Sequence, residues 1–154
     1  MMKFLENRIP PPLLMLLIGG AMGAVLFGQT PPQLPAAYRW GPAAFLFLAG
    51  GVFGFPAIRA FTKARTTINP VAIDQASVLV TSGIYRMTRN PMYVGLSLLL
   101  CAWAFWLSRP ITVCGPVAFV LFINRFQIIP EERALSARFG RAYLDYQLAV
   151  RRWL

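Results

Sequence analysis

The residues best suited to chemistry lie in the stretch 79–95, which has the sequence LVTSGIYRMTRNPMYVG. Asn90 and Pro91 predict the start of a helix, with Asn90 as its cap. The N-terminus of a helix presents free N–H groups and a positive dipole end, and Arg86 and Arg89 directly precede it. This pattern predicts a site for an anionic group. The simpler interpretation is that the arginines reach lipid phosphates and that the neighbouring tyrosines belong to an interfacial aromatic belt.

A second polar cluster, Glu131 and Glu132, uses two of the five acidic residues of the chain. The simpler interpretation of this pair is that its negative charge stabilises a nearby helix N-terminus. Apolar residues then recur at intervals of three and four, which predicts a C-terminal cytoplasmic amphipathic helix lying on the membrane or folding over the bundle as a lid. Gly140 within it permits a close backbone approach or a bend. The apolar face comprises Leu135, Phe139, Tyr143, Tyr146, Val150 and Trp153.

Composition predicts the fold class, and with it the kind of element that positions these two clusters. With 57% hydrophobic residues and a mean hydropathy of +0.57, the 154-residue chain is predicted to be an all-α integral membrane protein of one domain. A spanning helix needs roughly 20 apolar residues, and four stretches approach that length. We predict four transmembrane helices at 12–28, 40–61, 92–107 and 110–126. Since so few residues separate the last two, they are predicted to form a tight hairpin. The first stretch lacks a good cleavage site and is interpreted as retained.

Charge predicts the orientation of the bundle. Thirteen of the 15 basic residues lie near the N-terminus, in or just before the connection 62–91, or in or just before the tail 127–154, and the opposite side receives only Arg39 and Arg109. The positive-inside rule therefore places both termini in the cytoplasm. The net charge of +10 also favours contact with anionic membrane lipids, whereas nucleic acid binding is not indicated. Arginine greatly outnumbers lysine, which hints at a G·C-rich bacterial genome and hence a bacterial inner membrane.

Several chemistries are excluded because the chain has no histidine. A histidine-based catalytic triad or zinc site cannot form, and no metal site is predicted. Cys101 and Cys114 fall inside predicted spanning helices, where a thiol usually serves as a small packing residue. The pairs Gly19-x-x-x-Gly23 and Gly50-x-x-x-Gly54 predict close helix packing, with these two helices as the candidate partners.

The blocks LVTSGIYRMTRNPMYVG and EERALSARFGRAYLDY resemble the C-terminal core of the isoprenylcysteine carboxyl methyltransferase family, and membrane phospholipid methyltransferases share part of this signature. The resemblance runs from about Ser77 to the C-terminus. It implies a helical membrane enzyme that binds S-adenosylmethionine at the cytoplasmic face, without a soluble Rossmann domain. The cofactor contacts that it implies are Ser77, Val78, Leu79, Val80, Tyr85, Asn90, Pro91, Met92, Tyr93 and Glu131. Arg89 and Glu132 are further candidates, because the cofactor carries a carboxylate and an ammonium group.

The chain departs from this family at two positions. Asn90 stands where the eukaryotic prenylcysteine enzymes usually have the histidine of an Arg-His-Pro signature. Gln127 aligns with an arginine that those enzymes place near the substrate carboxylate, which puts prenylcysteine itself in doubt. Arg125, two residues earlier, is therefore a candidate for the acceptor contact, and Glu131 is the second candidate catalytic residue.

The charges of the reaction favour one acceptor over another. Methyl transfer from a sulfonium to an anionic oxygen neutralises both charges, which a dry pocket favours. A carboxylate is already ionised at neutral pH, whereas an amine must first lose a proton. We therefore predict methyl transfer to the carboxylate of a lipid or lipid-like acceptor that enters between helices. The alternatives are a phospholipid N-methyltransferase, an NADPH-dependent membrane reductase and a non-catalytic accessory protein.

Overall fold

The structure is a computed structural model, and it describes residues 6–25, 35–64 and 78–154. Within these ranges the regular elements are all helical, as predicted. The α-helices of the described ranges are α1 (Pro11–Ala24), α2 (Ala36–Ala64), α3 (Pro91–Leu107), α4 (Cys114–Ile123), α5 (Ile129–Phe139) and α6 (Arg141–Ala149). Short 3-10 segments precede α3 and α4, at Gly83–Arg86 and Pro110–Val113, and a π-helical segment, Asn124–Ile128, joins α4 to α5.

Helix α3 is the centre of the bundle. It begins at Pro91 as predicted, and it packs against α1, α2 and α4. Leu100 and Leu107 of α3 are buried together with Phe119 and Ile123 of α4, and Leu14 of α1 joins the same apolar cluster. The core of the molecule therefore lies around α3, and the position of this helix determines where Tyr93, in its first turn, is held.

The glycine pairs face α3 and not each other, and the close backbone packing is that of α2 on α3. Gly50 and Gly54 of α2 meet Gly95 of α3, where a methyl group added to Gly95 would lie 2.9 Å from the Gly50 carbonyl oxygen. Gly19 and Gly23 of α1 instead face Leu100 and Trp103 of α3. The predicted contact between the α1 and α2 glycines is therefore wrong, because both helices direct their small residues toward α3.

Among the described residues, two helices are long and apolar enough to cross a membrane by length and composition. They are Ala36–Ala60, within α2, and the continuous helical run Pro110–Phe139. The helices α1 and α3 are shorter apolar helices of 14 and 17 residues. Many large apolar side chains of α2 are exposed, including Phe45, Phe47, Leu48, Val52 and Phe55. An exposed apolar surface of this kind is stable against hydrocarbon rather than water.

The fourth helix does not end near residue 126 as predicted. Its axis continues through the π segment into α5, because residues 123–129 all keep right-handed helical backbone angles. Pro130 has no N–H to donate to the carbonyl oxygen of Phe126, four residues earlier. The backbone N–H of Asn7 binds that oxygen at 3.0 Å instead. The proline therefore leaves the Phe126 carbonyl oxygen available, and its hydrogen bond with Asn7 holds the N-terminal segment against the helix.

The single amphipathic helix predicted for the C-terminal region is in fact two helices. The break falls at Gly140, which has φ +51° and ψ −124°. Residues with a Cβ rarely adopt this conformation, whereas glycine adopts it at little cost. The predicted apolar face survives in part, because Tyr143 and Tyr146 of α6 are buried. The bend lets α6 return toward the start of α3.

Replacing Gly95 tests the backbone contact between α2 and α3. In Gly95→Ala the new methyl group would meet the Gly50 carbonyl at 2.9 Å and backbone atoms of Gly54 at 3.1 Å. Backbone cannot rotate aside, so we expect a loss of about 1–3 kcal/mol in stability, typical of overpacking. Thermal unfolding in detergent measures it. Gly51→Ala is the matched control, since nothing lies within 4 Å of its added methyl group; equal melting temperatures for the two variants would contradict the contact.

Candidate functional site

The site is centred on a hydrogen bond between the first turns of α3 and α5. The Tyr93 hydroxyl donates to Glu131 Oε1 at 2.5 Å, which joins residues 38 positions apart. The tyrosine is buried, and the glutamate is partly buried beside it. Because α5 continues directly from the π segment, Glu131 does not stand at a free helix end. The simple helix-dipole interpretation therefore does not explain this carboxylate.

The neighbouring Glu132 binds two arginines. The Arg152 guanidinium donates from Nε and Nη2 to the two carboxylate oxygens at 3.0 and 2.6 Å, and Arg89 Nη2 lies 3.1 Å from Oε1. The hydrogen bonds to Glu132 raise the pKa of Arg152 above its ordinary value. Paired hydrogen bonds of this kind fix geometry as well as charge. Arg152 was not predicted as a site residue, because nothing in its spacing separates it from the other basic residues of the tail.

Of the two arginines that bind Glu132, Arg89 is the more deeply buried. Its side chain is 11% exposed, against 38% for Arg152. Among the described residues its Nε and Nη1 atoms are buried and have no hydrogen-bond partner. Buried donors without acceptors are rare in native proteins and costly, more so on a charged group. An anionic group entering the site would supply the missing acceptors.

The C-terminal segment passes directly along the start of α3. The Arg89 backbone N–H donates to the Arg151 carbonyl at 2.9 Å, while Thr88 Oγ1 and Asn90 Nδ2 donate to the Arg152 carbonyl at 3.1 and 2.9 Å. Asn90 therefore does not cap α3 with its side chain, and that prediction is wrong. Its amide is used to hold residues 151–152 instead. The same contacts place the Arg152 side chain over Glu132.

Three buried tyrosines connect α6 to the turn before α3. The Tyr146 hydroxyl donates to the Tyr85 carbonyl at 2.7 Å, and the Tyr143 and Tyr146 rings pack with centroids 6.2 Å apart. Burial, followed by the charge of Glu132, raises the pKa of Tyr143 to about 12. Burial also raises the pKa of Tyr85 and Tyr146. All three remain neutral at physiological pH.

The remaining predicted cofactor contacts lie around this centre. Pro91 is buried and Met92 half-buried in the first turn of α3, Leu79 and Val80 are half-buried before the 3-10 turn, and Val78 is exposed. Ser77 lies outside the described residues. Within the described ranges, no group of three or more Cys, Asp and Glu side chains has the arrangement to hold a metal ion.

The structure does not bring Arg125 to the Tyr93–Glu131 pair. Its side chain is 52% exposed and pairs with Glu6 at 3.4 Å, and Glu6 also binds Arg133 at 2.7 Å. Gln127, in contrast, is fully buried, and its Nε2 donates to the Ile9 carbonyl at 2.8 Å. The N-terminal segment therefore binds one donor atom of each of the two residues that the family resemblance connects with an acceptor carboxylate.

The arrangement suits a small ligand with charges of both signs. Arg89 provides free buried donors for an anion, and Glu131 provides an acceptor for an ammonium or hydroxyl group. Tyrosine rings adjacent to such a site favour a cation over their faces. The polar groups converge where the apolar helix α3 begins.

Alkaline pH tests the burial of the tyrosines. Tyr143 ionises near pH 10 in the unfolded chain and near 12 when folded, so the folded state binds more protons between these values. Stability is therefore retained below pH about 10 and falls above it, by about 1.4 kcal/mol per pH unit for each such group. Melting temperatures between pH 8 and 12 measure the slope. Tyr143→Phe reduces it, and Tyr38→Phe, which removes an exposed phenol, is the control; an unchanged slope in Tyr143→Phe would contradict the assignment.

Comparison with known proteins identifies a protein family that this chain matches. The profile of the phospholipid methyltransferase family matches residues 39–142. An uncharacterized protein from Haemophilus influenzae is 46% identical over 63 residues, which are 41% of this chain and 100% of that protein. Mouse protein-S-isoprenylcysteine O-methyltransferase is 37% identical over 101 residues, covering 59% of this chain and 33% of the mouse enzyme.

A plant relative extends the aligned region. Protein-S-isoprenylcysteine O-methyltransferase A of Arabidopsis thaliana is 31% identical over 112 residues, covering 68% of this chain and 53% of the plant protein. The chain thus spans between a third and about half of the named methyltransferases that it matches. No solved structure matches the chain. The family match includes Tyr93 and Glu131 but stops before Arg152.

Proposed function

Because this chain belongs to the phospholipid methyltransferase family, we propose that it transfers a methyl group from S-adenosylmethionine to a lipid or lipid-like acceptor at the cytoplasmic face of a bacterial inner membrane. The observation that carries the proposal is the buried Arg89, with two nitrogen atoms lacking partners among the described residues, beside the Tyr93–Glu131 pair. Those groups match a ligand that is both an acid and a cation.

The residues at the site fit S-adenosylmethionine. Arg89 would bind its carboxylate through Nε or Nη1, Glu131 its ammonium or ribose hydroxyl groups, and the Tyr85 and Tyr93 rings would lie near its sulfonium. The cofactor, when bound, supplies an electrophilic methyl group. Glu132 orients Arg89 by accepting from Nη2. The proposed walls of the site also include Ser77, Val78, Leu79, Val80, Asn90, Pro91 and Met92.

We propose a four-span topology in which α3 and α4 form the hairpin and both termini lie in the cytoplasm. The first turn of α3 and the acidic turn of α5 then share the face that carries most of the arginines. The apolar exposed surface of α2 and the two long apolar helices support this membrane placement. The protein excludes water from the site by burying Tyr85 and Tyr93 at the bilayer edge.

The acceptor is proposed to be a carboxylate, as the names of the mouse and plant relatives suggest. A phospholipid amine is the second candidate, and a specific observation favours it. Neither residue that the family resemblance connects with an acceptor carboxylate supplies a cation beside Glu131, because Arg125 pairs with Glu6 and Gln127 is neutral. An amine needs a base rather than a cation, and Glu131 is the carboxylate in position to take its proton.

Three substitutions test the cofactor site. Arg89→Gln and Glu131→Gln each remove a charged hydrogen-bond partner, worth about 1.5–3 kcal/mol, so we expect affinity for S-adenosylmethionine to fall by about tenfold or more. Tyr93→Phe removes a neutral hydroxyl and should have a smaller effect. Isothermal titration calorimetry on purified protein measures all three.

Two arginines near the site in sequence serve as matched controls. Arg86→Gln, three residues from Arg89 but exposed, and Arg125→Ala should keep the affinity of the original chain. If all three site variants bind as tightly as these controls, the assignment of the site is wrong. Binding of NADPH in place of S-adenosylmethionine would support a reductase and contradict the proposed reaction.

The acceptor can be identified directly. Membranes supplied with methyl-labelled S-adenosylmethionine and the purified protein should yield a labelled lipid, and mass spectrometry reads its structure. A methyl ester loses its label as methanol on mild alkaline hydrolysis, whereas an N-methyl group keeps it, which separates the two candidate acceptors. Tight cofactor binding without any labelled product would leave only a non-catalytic binding function.

A further inference from the structure

A groove of about 680 Å³ opens between α1 and α2 on the surface of α3. Its floor is low because Ala43, Ala44 and Ala102 present only methyl groups to it. The side chains around them are all apolar. The indole N–H of Trp103 already donates to the Gly19 carbonyl at 3.0 Å. The other lining residues are Met15, Trp40, Phe47, Leu48, Leu99 and Trp106. Such a lining suits hydrocarbon.

The groove is separate from the proposed methyl transfer site. Along α3 it extends from Leu99 to Trp106, whereas Tyr93 lies in the first turn of that helix. At 1.5 Å per residue, Trp106 is about 20 Å from Tyr93 along the helix axis. The groove therefore belongs to the opposite half of the bundle.

The length of the groove matches one leaflet of a bilayer. On α2 it runs from Trp40 to Leu48, and the rise between these two residues is about 12 Å along the axis. The hydrocarbon core of a bilayer is about 30 Å thick, so one leaflet contributes about 15 Å. A single lipid chain descending from the interface fits this depth.

A fixed cation lies at the outer end of the groove. Arg39 donates from Nε and Nη2 to the Trp106 carbonyl at 3.1 and 2.9 Å, and its guanidinium lies 5.3 Å from the centre of the Trp106 ring. These bonds use one edge of the guanidinium and leave the Nη1 donors for another acceptor. Arg39 is half-buried, in the first turn of α2.

The positive charge at this end is not neutralised by a carboxylate of the same region. The first turn of α2 contains no acidic residue, and the sequence has none between Glu6 and Asp74. The N-terminus of α2 adds its own positive dipole end to the charge of Arg39. A phosphate at the membrane surface complements both.

We propose that this groove binds one hydrocarbon chain of an anionic phospholipid whose phosphate is held by Arg39. The stacked rings of Trp103 and Trp106, with centroids 5.0 Å apart, form the wall nearest the headgroup. The lipid seals the space between α1 and α2 on the half of the bundle away from the methyl transfer site. This site is independent of the proposed reaction, since it contains none of its residues.

Tryptophan fluorescence tests the proposal with defined lipids. The full chain is placed in phosphatidylcholine vesicles containing a small fraction of phosphatidylglycerol with brominated chains, which quench nearby tryptophans. Since one interfacial cation is worth about fivefold in affinity for an anionic lipid, half-maximal quenching should need about fivefold less brominated phosphatidylglycerol than brominated phosphatidylcholine. Equal quenching by the two lipids would overturn the role of Arg39.

Variants distinguish the binding of the lipid hydrocarbon chain in the groove from the binding of its phosphate by Arg39. Ala44→Phe fills the groove from an exposed position and should reduce quenching by both lipids, while Ala118→Phe, on the exposed surface of α4, should not. Arg39→Gln should remove the preference for phosphatidylglycerol, and Arg59→Gln, exposed near the other end of α2, should keep it. Melting temperature shows that each variant is folded. Unchanged quenching in Ala44→Phe would overturn the groove as a lipid site.

Discussion

The backbone contact of α2 with α3 is the constraint on which the rest of the structure depends. Gly95 approaches Gly50 and Gly54 so closely that no side chain fits between the helices. Tyr93 is only two residues away, so the depth at which α3 packs on α2 also determines the position of its hydroxyl. A shift of α3 along its axis by one residue, about 1.5 Å, would break the hydrogen bond to Glu131.

The polar site is built from opposite charges that are taken out of water together. Glu132 accepts from both Arg89 and Arg152, and its side chain is only 13% exposed. Removing one partner of such a buried pair is costly, because the other charge remains without compensation. The network therefore holds Arg89 in one orientation, with its remaining donors directed to whatever anion enters. Rigidity of this kind reduces the entropy that a ligand loses on binding.

Local sequence patterns predicted much of this fold. Composition and apolar runs predicted the all-helical architecture, the pair Asn90-Pro91 marked the start of α3, and Gly140 marked a bend. What they could not predict depends on partners distant in sequence. The side chain of Asn90 binds the Arg152 carbonyl instead of capping its helix, since residues 151–152 pass beside it. Arg152 carries no local signal at all.

The π segment at Asn124–Ile128 has a consequence for rotation about the helix axis. A π turn accommodates an extra residue, and each residue of an α-helix turns the chain by about 100°. The side chains of α5 are therefore rotated about the helix axis, compared with the directions they would have if α4 continued as an uninterrupted α-helix. The apolar face of α4 meets the core, while Glu131 is turned toward Tyr93. A one-residue deletion within the π segment would preserve the helix and its hydropathy yet direct this carboxylate to a different side of the bundle.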